Sequence, residues 1–436
     1  MTPKSMGTPP ILHAARVALL GVSFGVPAAV LGQSQAPFDP ARLMADVQAY
    51  YDMGVHRTGH PGDLATSAWL DARLRAAGLE TSTHDFSVNQ FFLDEAWIDD
   101  GRGEIDAFPI WLPRATGSSG LSGRLVLVGE ATPASDIRGA VAWLDPGATA
   151  AQRRALDAKA VAAGAAAIVF ETSDGAGTGV LSAVNAERRY VDAQRPVPTL
   201  IFGAASSSRL RQAIGGTVTV KLVGRFDENT RASNVIGTRV VDADADWIVI
   251  STPSSGWFTN AGERGGGIAL LLALAEWIGD RENGLNYLLV ATSGHELDYL
   301  GARLFHEAHL APPPERTRVW LHLGAQIATP PWRDEAGTLR PGAEVTTGTL
   351  QASVELADII RDAFAGLPMY TLRTDTRIGE FRDLAEHGYR GLGVVGGSNP
   401  WFHVPGDDPR GVSAETLALA ASAIADALVS VESFQP

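Results

Sequence analysis

Polar side chains that could bind a metal or move a proton follow several predicted strands in the second half of the chain. His295 and Glu296 come directly after one long predicted strand, His322 stands near the end of another, and His403 lies towards the C terminus. The sequence contains no cysteine, so the chemistry must rely on oxygen and imidazole rather than on a thiolate. Imidazoles and carboxylates that converge are what a zinc site requires when thiolates are absent.

A glycine-rich loop at residues 251–267 carries further candidates and runs into a predicted helix. Glu263 and Arg264 are adjacent in it, so Arg264 could either pair with Glu263 at the surface or hold an anionic group of a substrate. Aromatic side chains stand in this loop and directly before His403, and they are Trp257, Phe258, Trp401 and Phe402. Aromatic walls are common in ligand pockets, so we predict that these four contact the substrate, with packing within the loops as the alternative.

The elements that must position these residues alternate in type. After about residue 234 the apolar pattern predicts strands and helices in turn, over residues 247–251, 267–278, 286–292, 297–309, 319–323, 350–364, 391–395 and 413–433. Strands that alternate with helices predict an α/β fold with a mostly parallel central sheet and helices on both faces. In such sheets ligands bind beyond the carboxyl ends of the strands, where the polar residues above are found.

The remaining segments predict a chain of more than one domain. Residues 38–105 contain two predicted helices and a strand, whereas residues 106–225 combine short β-rich runs with one alanine-rich helix. We therefore predict a main domain formed by residues 38–105 and 226–436, interrupted by a small β-rich α/β insert at 106–225. The insert is expected to shape substrate access or bind a partner, and not to carry catalysis.

Charge and the N-terminal segment limit the partners and the location. Acidic residues number 49 against 35 basic ones, a formal charge of -14, and no block of lysine or arginine exists to bind nucleic acid. Residues 1–36 have the pattern of an export signal, with Lys4 and Arg16 beside an apolar run that ends in small residues. We expect the mature protein to be periplasmic or extracellular, free of the membrane once the signal is cleaved. An N-terminal membrane anchor is the alternative.

The order of these motifs resembles the M28 family of zinc exopeptidases, and residues 106–225 resemble the protease-associated (PA) insert domain. The run Ala-Ser-Asn-Val-Ile-Gly at residues 232–237 matches the family's lead-in before its first metal-binding strand, and Glu296 and His403 match two of its metal ligands. The resemblance covers nearly the whole chain after the signal. It implies the zinc-exopeptidase fold described above.

The same resemblance implies a metal site that departs from the family pattern. The family's first histidine and the aspartate after it fall on Thr252 and Ser254, which are poor zinc ligands. Its bridging aspartate falls on Glu263 with a slip of one residue, or on Gly262 without it. The catalytic glutamate of the family, a general base, falls on His295, and imidazole can also perform that role.

Three functions remain open on this basis. The resemblance implies a hydrolase of peptide or related amide bonds near a free terminus. One zinc would be held by Glu263, Glu296 and His403, with His322 as a further candidate ligand. His295 would be the general base. The substrate would be a peptide or a small amide. The alternatives are a binding protein that has lost its metals, and an amide hydrolase or acyl transferase resembling the glutaminyl cyclases, which use one zinc. The oligomeric state is not predicted.

Overall fold

The computed structural model describes residues 38–175, 177–279, 281–330, 332–335, 338–341, 348–396 and 400–434. The predicted export signal at residues 1–36 lies outside these ranges and stays a prediction.

The described strands are β1 (Glu80–Asp99), β2 (Glu104–Pro109), β3 (Leu121–Val128), β4 (Val141–Leu144), β5 (Ala167–Thr172), β6 (Thr199–Gly203), β7 (Thr217–Arg239), β8 (Trp247–Pro253), β9 (Asn286–Thr292), β10 (Thr317–Leu323), β11 (Trp332–Glu335), β12 (Thr338–Pro341), β13 (Gly348–Ala352), β14 (Tyr370–Arg373) and β15 (Gly391–Val395). The described α-helices are α1 (Pro40–Asp52), α2 (Pro61–Ala76), α3 (Ala134–Ile137), α4 (Ala150–Ala163), α5 (Ser207–Arg211), α6 (Gly266–Gly279), α7 (Leu300–Glu307), α8 (Ala357–Ala363), α9 (Glu380–Glu386) and α10 (Ala414–Glu432).

The centre of the sheet is parallel. Strands β9, β8, β10 and β15 lie side by side in that order, and each pair of neighbours runs in the same direction. Antiparallel neighbours flank this block, with β7 beside β9 and β13 beside β15. The position of β8 between two parallel strands confirms the predicted α/β fold with a mostly parallel sheet.

Both faces of the parallel block are covered, because successive side chains of a strand point to opposite faces. Ile248 and Ile250 of β8 belong to a core that also contains apolar residues of α1, α6 and α10. Val249 belongs to a second core on the other face, together with Phe305 of α7 and Phe381 of α9. Helices therefore lie on both faces, as predicted.

A second group of strands contains the predicted insert. Strands β2, β6, β5, β4 and β3 are neighbours in that order, and the long strands β1 and β7 pair with each other and join this group to the parallel block. Strand β7 continues through residue 225, the predicted boundary, without a break. The division into domains and the PA-like character of the insert stay predictions.

One predicted helix is wrong in part. Residues 350–364 were expected to form a helix, but β13 occupies Gly348–Ala352 and α8 begins only at Ala357. The first residues of this segment pair with β15 and β14, so sheet pairing overrides the local helical pattern.

Within the described residues, α10 alone is long and apolar enough to cross a membrane by length and composition. Half of its apolar stretch is buried inside the protein, where α10 packs against α1, α6 and α8. This packing accounts for its apolar composition.

Candidate metal centre

Glu263, His295 and His403 meet at the carboxyl edge of the parallel strands. Each offers one ligand atom, and the three atoms lie within 4.8 Å of one another. Glu263 follows β8, His295 follows the neighbouring strand β9, and His403 comes from the loop before α10. All three are buried, so the cluster is a candidate for a metal site shielded from bulk water.

A π-helical turn at Ala261–Gly265 presents Glu263 at the start of α6. Such a turn holds one residue more than an α-helical turn and often marks a functional site, consistent with the slip of one residue that aligns Glu263 with the family's bridging aspartate. Asn260 Nδ2 donates to Glu263 Oε2 at 2.6 Å. Asp407 accepts hydrogen bonds from the backbone N–H groups of Gly262 and Glu263, each at 2.9 Å. Asn260 therefore holds the carboxylate through Oε2, while Oε1 faces Arg264 and His403.

Charge keeps Glu263 ionised. Burial alone would raise its pKa, but the neighbouring His403 and Arg264 more than offset that effect and hold the pKa below its usual range. Arg264 Nη2 lies 2.7 Å from Glu263 Oε1. The cluster thus contains a carboxylate anion at neutral pH.

Both imidazoles are held through Nδ1, which leaves Nε2 for a ligand. His295 Nδ1 lies 2.7 Å from Glu380 Oε1, and His403 Nδ1 lies 2.9 Å from the carbonyl oxygen of Ala183. A carbonyl only accepts, so His403 carries its proton on Nδ1, and its neutral form has a lone pair on Nε2. Partners of this kind fix the orientation of histidine ligands in metal sites.

A ring nitrogen of His403 and a carboxylate oxygen of Glu263 consequently face each other. His403 Nε2 lies 3.3 Å from Glu263 Oε1, and neither atom has a hydrogen-bond partner among the described residues. When His403 is neutral, its Nε2 lone pair and the carboxylate oxygen repel each other at this distance unless a metal cation lies between them. The donor set of Glu263, His295 and His403 therefore fits a cation.

Glu380, at the start of α9, contacts the cluster through His295 and was not among the residues singled out from the sequence. Its Oε1 contacts His295 and its Oε2 lies 3.5 Å from His322 Nε2. Burial opposes ionisation, yet the two histidines hold the pKa of Glu380 well below its usual value. Burial, helped by the charge of Arg264, lowers the pKa of His295, so a neutral imidazole donates to a carboxylate. Glu380 belongs to no matched motif, and an acidic residue at a helix start is ordinary, so the sequence carried no signal for it.

The structure does not bring Glu296 and His322 into this three-residue cluster. Glu296 Oε1 accepts from the N–H and the hydroxyl of Thr58, both at 2.7 Å, and its Oε2 accepts from the Ser255 hydroxyl at 2.7 Å. His322 Nδ1 contacts the Ser251 hydroxyl at 3.0 Å, and its Nε2 faces Glu380. Both side chains thus have partners other than the cluster, whereas His295, predicted as the base, offers a ligand atom to it.

Thr252 and Ser254, on which the family's first histidine and the aspartate after it fall, form hydrogen bonds to neighbouring strand ends. Thr252 Oγ1 donates to the carbonyl of Leu323 at 2.9 Å, and the Ser254 N–H donates to the carbonyl of Thr292 at 2.8 Å. Across the described residues, the cluster around Glu263 is the one group of three histidine or acidic side chains whose ligand atoms all lie within 4.8 Å of one another.

The four predicted substrate contacts divide into two pairs. Trp257 is fully buried and Phe258 nearly so, and both pack against Phe108 at ring distances of 5.6 and 5.1 Å. Arg57 lies over the ring of Trp257 and donates to its carbonyl oxygen at 3.1 Å. This pair therefore packs into the core, and its predicted contact with the substrate stays a prediction.

The other two aromatic residues lie on the loop of His403. Phe402 stacks on His403 with ring centroids 4.0 Å apart. Trp401 is partly exposed and lines a cavity of about 790 Å³, together with Phe108 and residues of the predicted insert. A second cavity, of about 460 Å³, reaches Glu380 and is lined also by Arg188 and Arg303.

Comparison with known proteins identifies the fold. No protein-family model and no curated protein matches the chain. Among solved structures, it is similar to BSAP, a zinc aminopeptidase from Bacillus subtilis, with a TM-score of 0.74 and 16% identity over 91% of this chain and 96% of that one. It is also similar to a peptidase M28 precursor from Shewanella amazonensis SB2B (TM-score 0.71, 17% identity, 91% and 96% covered). An aminopeptidase from Aneurinibacillus sp. strain AM-1 is similar at a TM-score of 0.65 and 17% identity, over 91% and 94% of the two chains. The chain therefore has the M28-like zinc exopeptidase fold.

Proposed function

We propose that this chain is a hydrolase of peptide or related amide bonds that uses one zinc ion held by Glu263, His295 and His403. The observation that carries the proposal is the convergence of three buried side chains whose ligand atoms lie within 4.8 Å of one another, with His403 Nε2 3.3 Å from Glu263 Oε1 beside His295. The similarity to zinc aminopeptidases supports it at the level of the fold.

The ligand set has the composition of catalytic zinc sites. Two imidazoles and one carboxylate make three protein ligands, which leaves a fourth position for water or substrate. When bound, zinc would polarise the substrate carbonyl and make a water molecule a stronger nucleophile. This assignment gives His295 a ligand role in place of the base role expected from the sequence.

The surrounding residues orient the ligands and set their charge. Glu380 holds the His295 ring, the Ala183 carbonyl holds the His403 ring, and Asn260 holds the far oxygen of Glu263. In the overall reaction the oxygen of water bonds to the carbonyl carbon, the carbon–nitrogen bond breaks, and the leaving nitrogen takes a proton from water. No further co-reactant is needed.

A metal-free binding protein is the second candidate, because Arg264 lies 2.7 Å from Glu263 Oε1 and provides a positive charge without any metal. Activity measurements separate the two functions. Protein freed of metal by a chelator is offered N-acetylated dipeptides and amino-acid anilides before and after zinc is restored. The proposal expects hydrolysis that disappears with the metal and returns with zinc. Absence of turnover in the zinc-restored protein on all these substrates would favour the binding protein.

We further propose that the protein is exported, on the signal-like pattern of residues 1–36. N-terminal sequencing of the protein from cell fractions tests this. A chain that begins near residue 33–37 outside the cytoplasm supports export, and an intact Met1 in the cytoplasm contradicts it.

A further inference from the structure

Arg264 is a buried cation whose hydrogen-bonding groups have no partner. It is 1% exposed, and Nε, Nη1 and Nη2 all lack a hydrogen bond within the described part of the chain. Among the described residues it forms one ion pair, with Glu263, through the oxygen that also faces His403. Burying a guanidinium is costly unless it is both paired and hydrogen-bonded.

The other buried arginines show how this protein ordinarily satisfies such a group. Arg195, which is 2% exposed, is bonded to the carboxylate of Asp157 and to the hydroxyl of Thr199. Arg57 donates to the Trp257 carbonyl and is enclosed by three aromatic rings. Arg264 also lies beside a carboxylate, that of Glu263, but among the described residues its side chain forms no hydrogen bond, and its position beside the cluster sets it apart from both.

We propose that Arg264 binds a carboxylate of the substrate, so that this site acts on amides bearing a carboxylate next to the scissile bond. The planar guanidinium matches a carboxylate through two parallel hydrogen bonds, and its free donors supply them. The inference rests on the proposed function. A metal cation bound to Glu263 Oε1 would compete with Arg264 for that oxygen. The guanidinium of Arg264 would then need another anion to balance its charge. The chemistry recognised is a carboxylate, whether at the C terminus of a peptide or on an acidic side chain.

Binding to the metal-free protein tests the carboxylate site without any hydrolysis. N-acetylalanine and its neutral amide are titrated calorimetrically into the wild type, Glu263→Gln, and the double variant Glu263→Gln with Arg264→Gln. The Glu263 carboxylate competes with the ligand for Arg264. Glu263→Gln removes this carboxylate and should therefore bind N-acetylalanine more tightly than the wild type. The double variant should lose roughly 30-fold or more of that affinity, with no change for the amide. Equal binding of N-acetylalanine by the single and double variants would overturn the proposal.

Two further variants guard against a folding defect. Arg264→Lys keeps the positive charge and loses the two-pronged geometry, so in the Glu263→Gln background it should bind N-acetylalanine at an intermediate affinity. Arg188→Gln alters an exposed arginine that borders the neighbouring cavity, and it should bind like the wild type. If Arg188→Gln lost as much affinity for N-acetylalanine as the Arg264→Gln substitution does, the assignment of the carboxylate site to Arg264 would be contradicted.

Rates with zinc present distinguish the source of the carboxylate. Acetyl-alanyl-alanine, its C-terminal amide, and acetyl-alanyl-aspartate amide are compared by kcat/KM. Preference for the first indicates a terminal carboxylate, preference for the third an acidic side chain, and equal rates on all three contradict the proposal. A protein that binds N-acetylalanine through Arg264 but holds no zinc would refute the proposed hydrolase while leaving the carboxylate site standing.

Discussion

Oε1 of Glu380 lies 2.7 Å from Nδ1 of His295, and the other oxygen of the same carboxylate lies 3.5 Å from Nε2 of His322. One buried anion thus contacts two histidines, His295 after β9 and His322 near the end of β10, although β8 separates these two strands in the sheet. A carboxylate behind a histidine fixes the ring and strengthens its free nitrogen as a ligand. We therefore expect Glu380 to act through His295, as a residue that positions this ligand.

Glu380→Gln should weaken zinc binding by about tenfold and Glu380→Ala by up to about 100-fold, the range seen when such supporting carboxylates are removed. Zinc titration against a competing chelator measures the change. Glu386→Gln, an exposed position on the same helix, serves as the matched control and should bind zinc as the wild type does. Wild-type zinc affinity in Glu380→Ala would show that the His295 contact has no bearing on a metal.

Glu296 is expected to stabilise the fold and not to bind the metal. Its carboxylate accepts three hydrogen bonds from Thr58 and Ser255, so Glu296→Ala should reduce the free energy of unfolding by about 3 kcal/mol. The zinc content per folded chain should stay unchanged. Urea denaturation and elemental analysis measure the two quantities, with the exposed Glu307→Ala as control. Zinc loss from a folded Glu296→Ala variant would restore the ligand role that the family resemblance implied.

Trp257 and Trp401 should differ in what their removal affects. Trp257→Ala is expected to lower the free energy of unfolding by about 3–5 kcal/mol, because the ring is fully buried against Phe108 and Trp111. Trp401→Ala should change it by less than about 1 kcal/mol, since that side chain is partly exposed at a cavity. Thermal unfolding of the two variants gives the comparison. Equal losses would mean that Trp401 also belongs to a core.

His56 should make the protein sensitive to acid. Burial lowers the pKa of its imidazole from 6.5 to about 4, and the ring stacks on Tyr50 at 3.7 Å. Between about pH 6.5 and pH 4 His56 binds a proton in the unfolded chain but stays neutral in the native state. The free energy of unfolding is therefore unaffected by His56 above about pH 6.5 and decreases as the pH falls to about 4. The loss is on the order of 3 kcal/mol.

Urea denaturation from pH 7 to pH 4 measures this dependence in the wild type and in His56→Gln. The variant should show a smaller decline in unfolding free energy across that interval, even if it is less stable throughout. His309→Gln, an exposed histidine, is the control and should leave the slope unchanged. An identical slope in His56→Gln and the wild type would contradict the assignment.

The sequence predicted the strands of the parallel block closely because each is a short apolar run between turn residues. The prediction for residues 286–292 coincides with β9, and that for residues 391–395 with β15. The lengths of β1 and β7 could not be predicted. These strands stabilise each other by pairing across the predicted domain boundary, and such pairing joins residues far apart in the chain.

At the site, the sequence located Glu263, His295 and His403 but not which atoms face the cluster. His295 and Glu296 are neighbours on one tight turn, so their side chains point in different directions. The contacts that decide between them come from distant segments: Thr58 and Ser255 hold Glu296, whereas Glu380 holds His295. No local pattern carries that information.

Zinc stoichiometry tests the central claim most directly. The metal-free chain is titrated with zinc, and the bound metal is counted by elemental analysis after buffer exchange, for the wild type and for the variants Glu263→Gln, His295→Gln and His403→Gln. The account predicts close to one zinc per wild-type chain and loss of tight binding in each of the three variants. A wild type that retains no zinc, or retention of one zinc in both histidine variants, would contradict it.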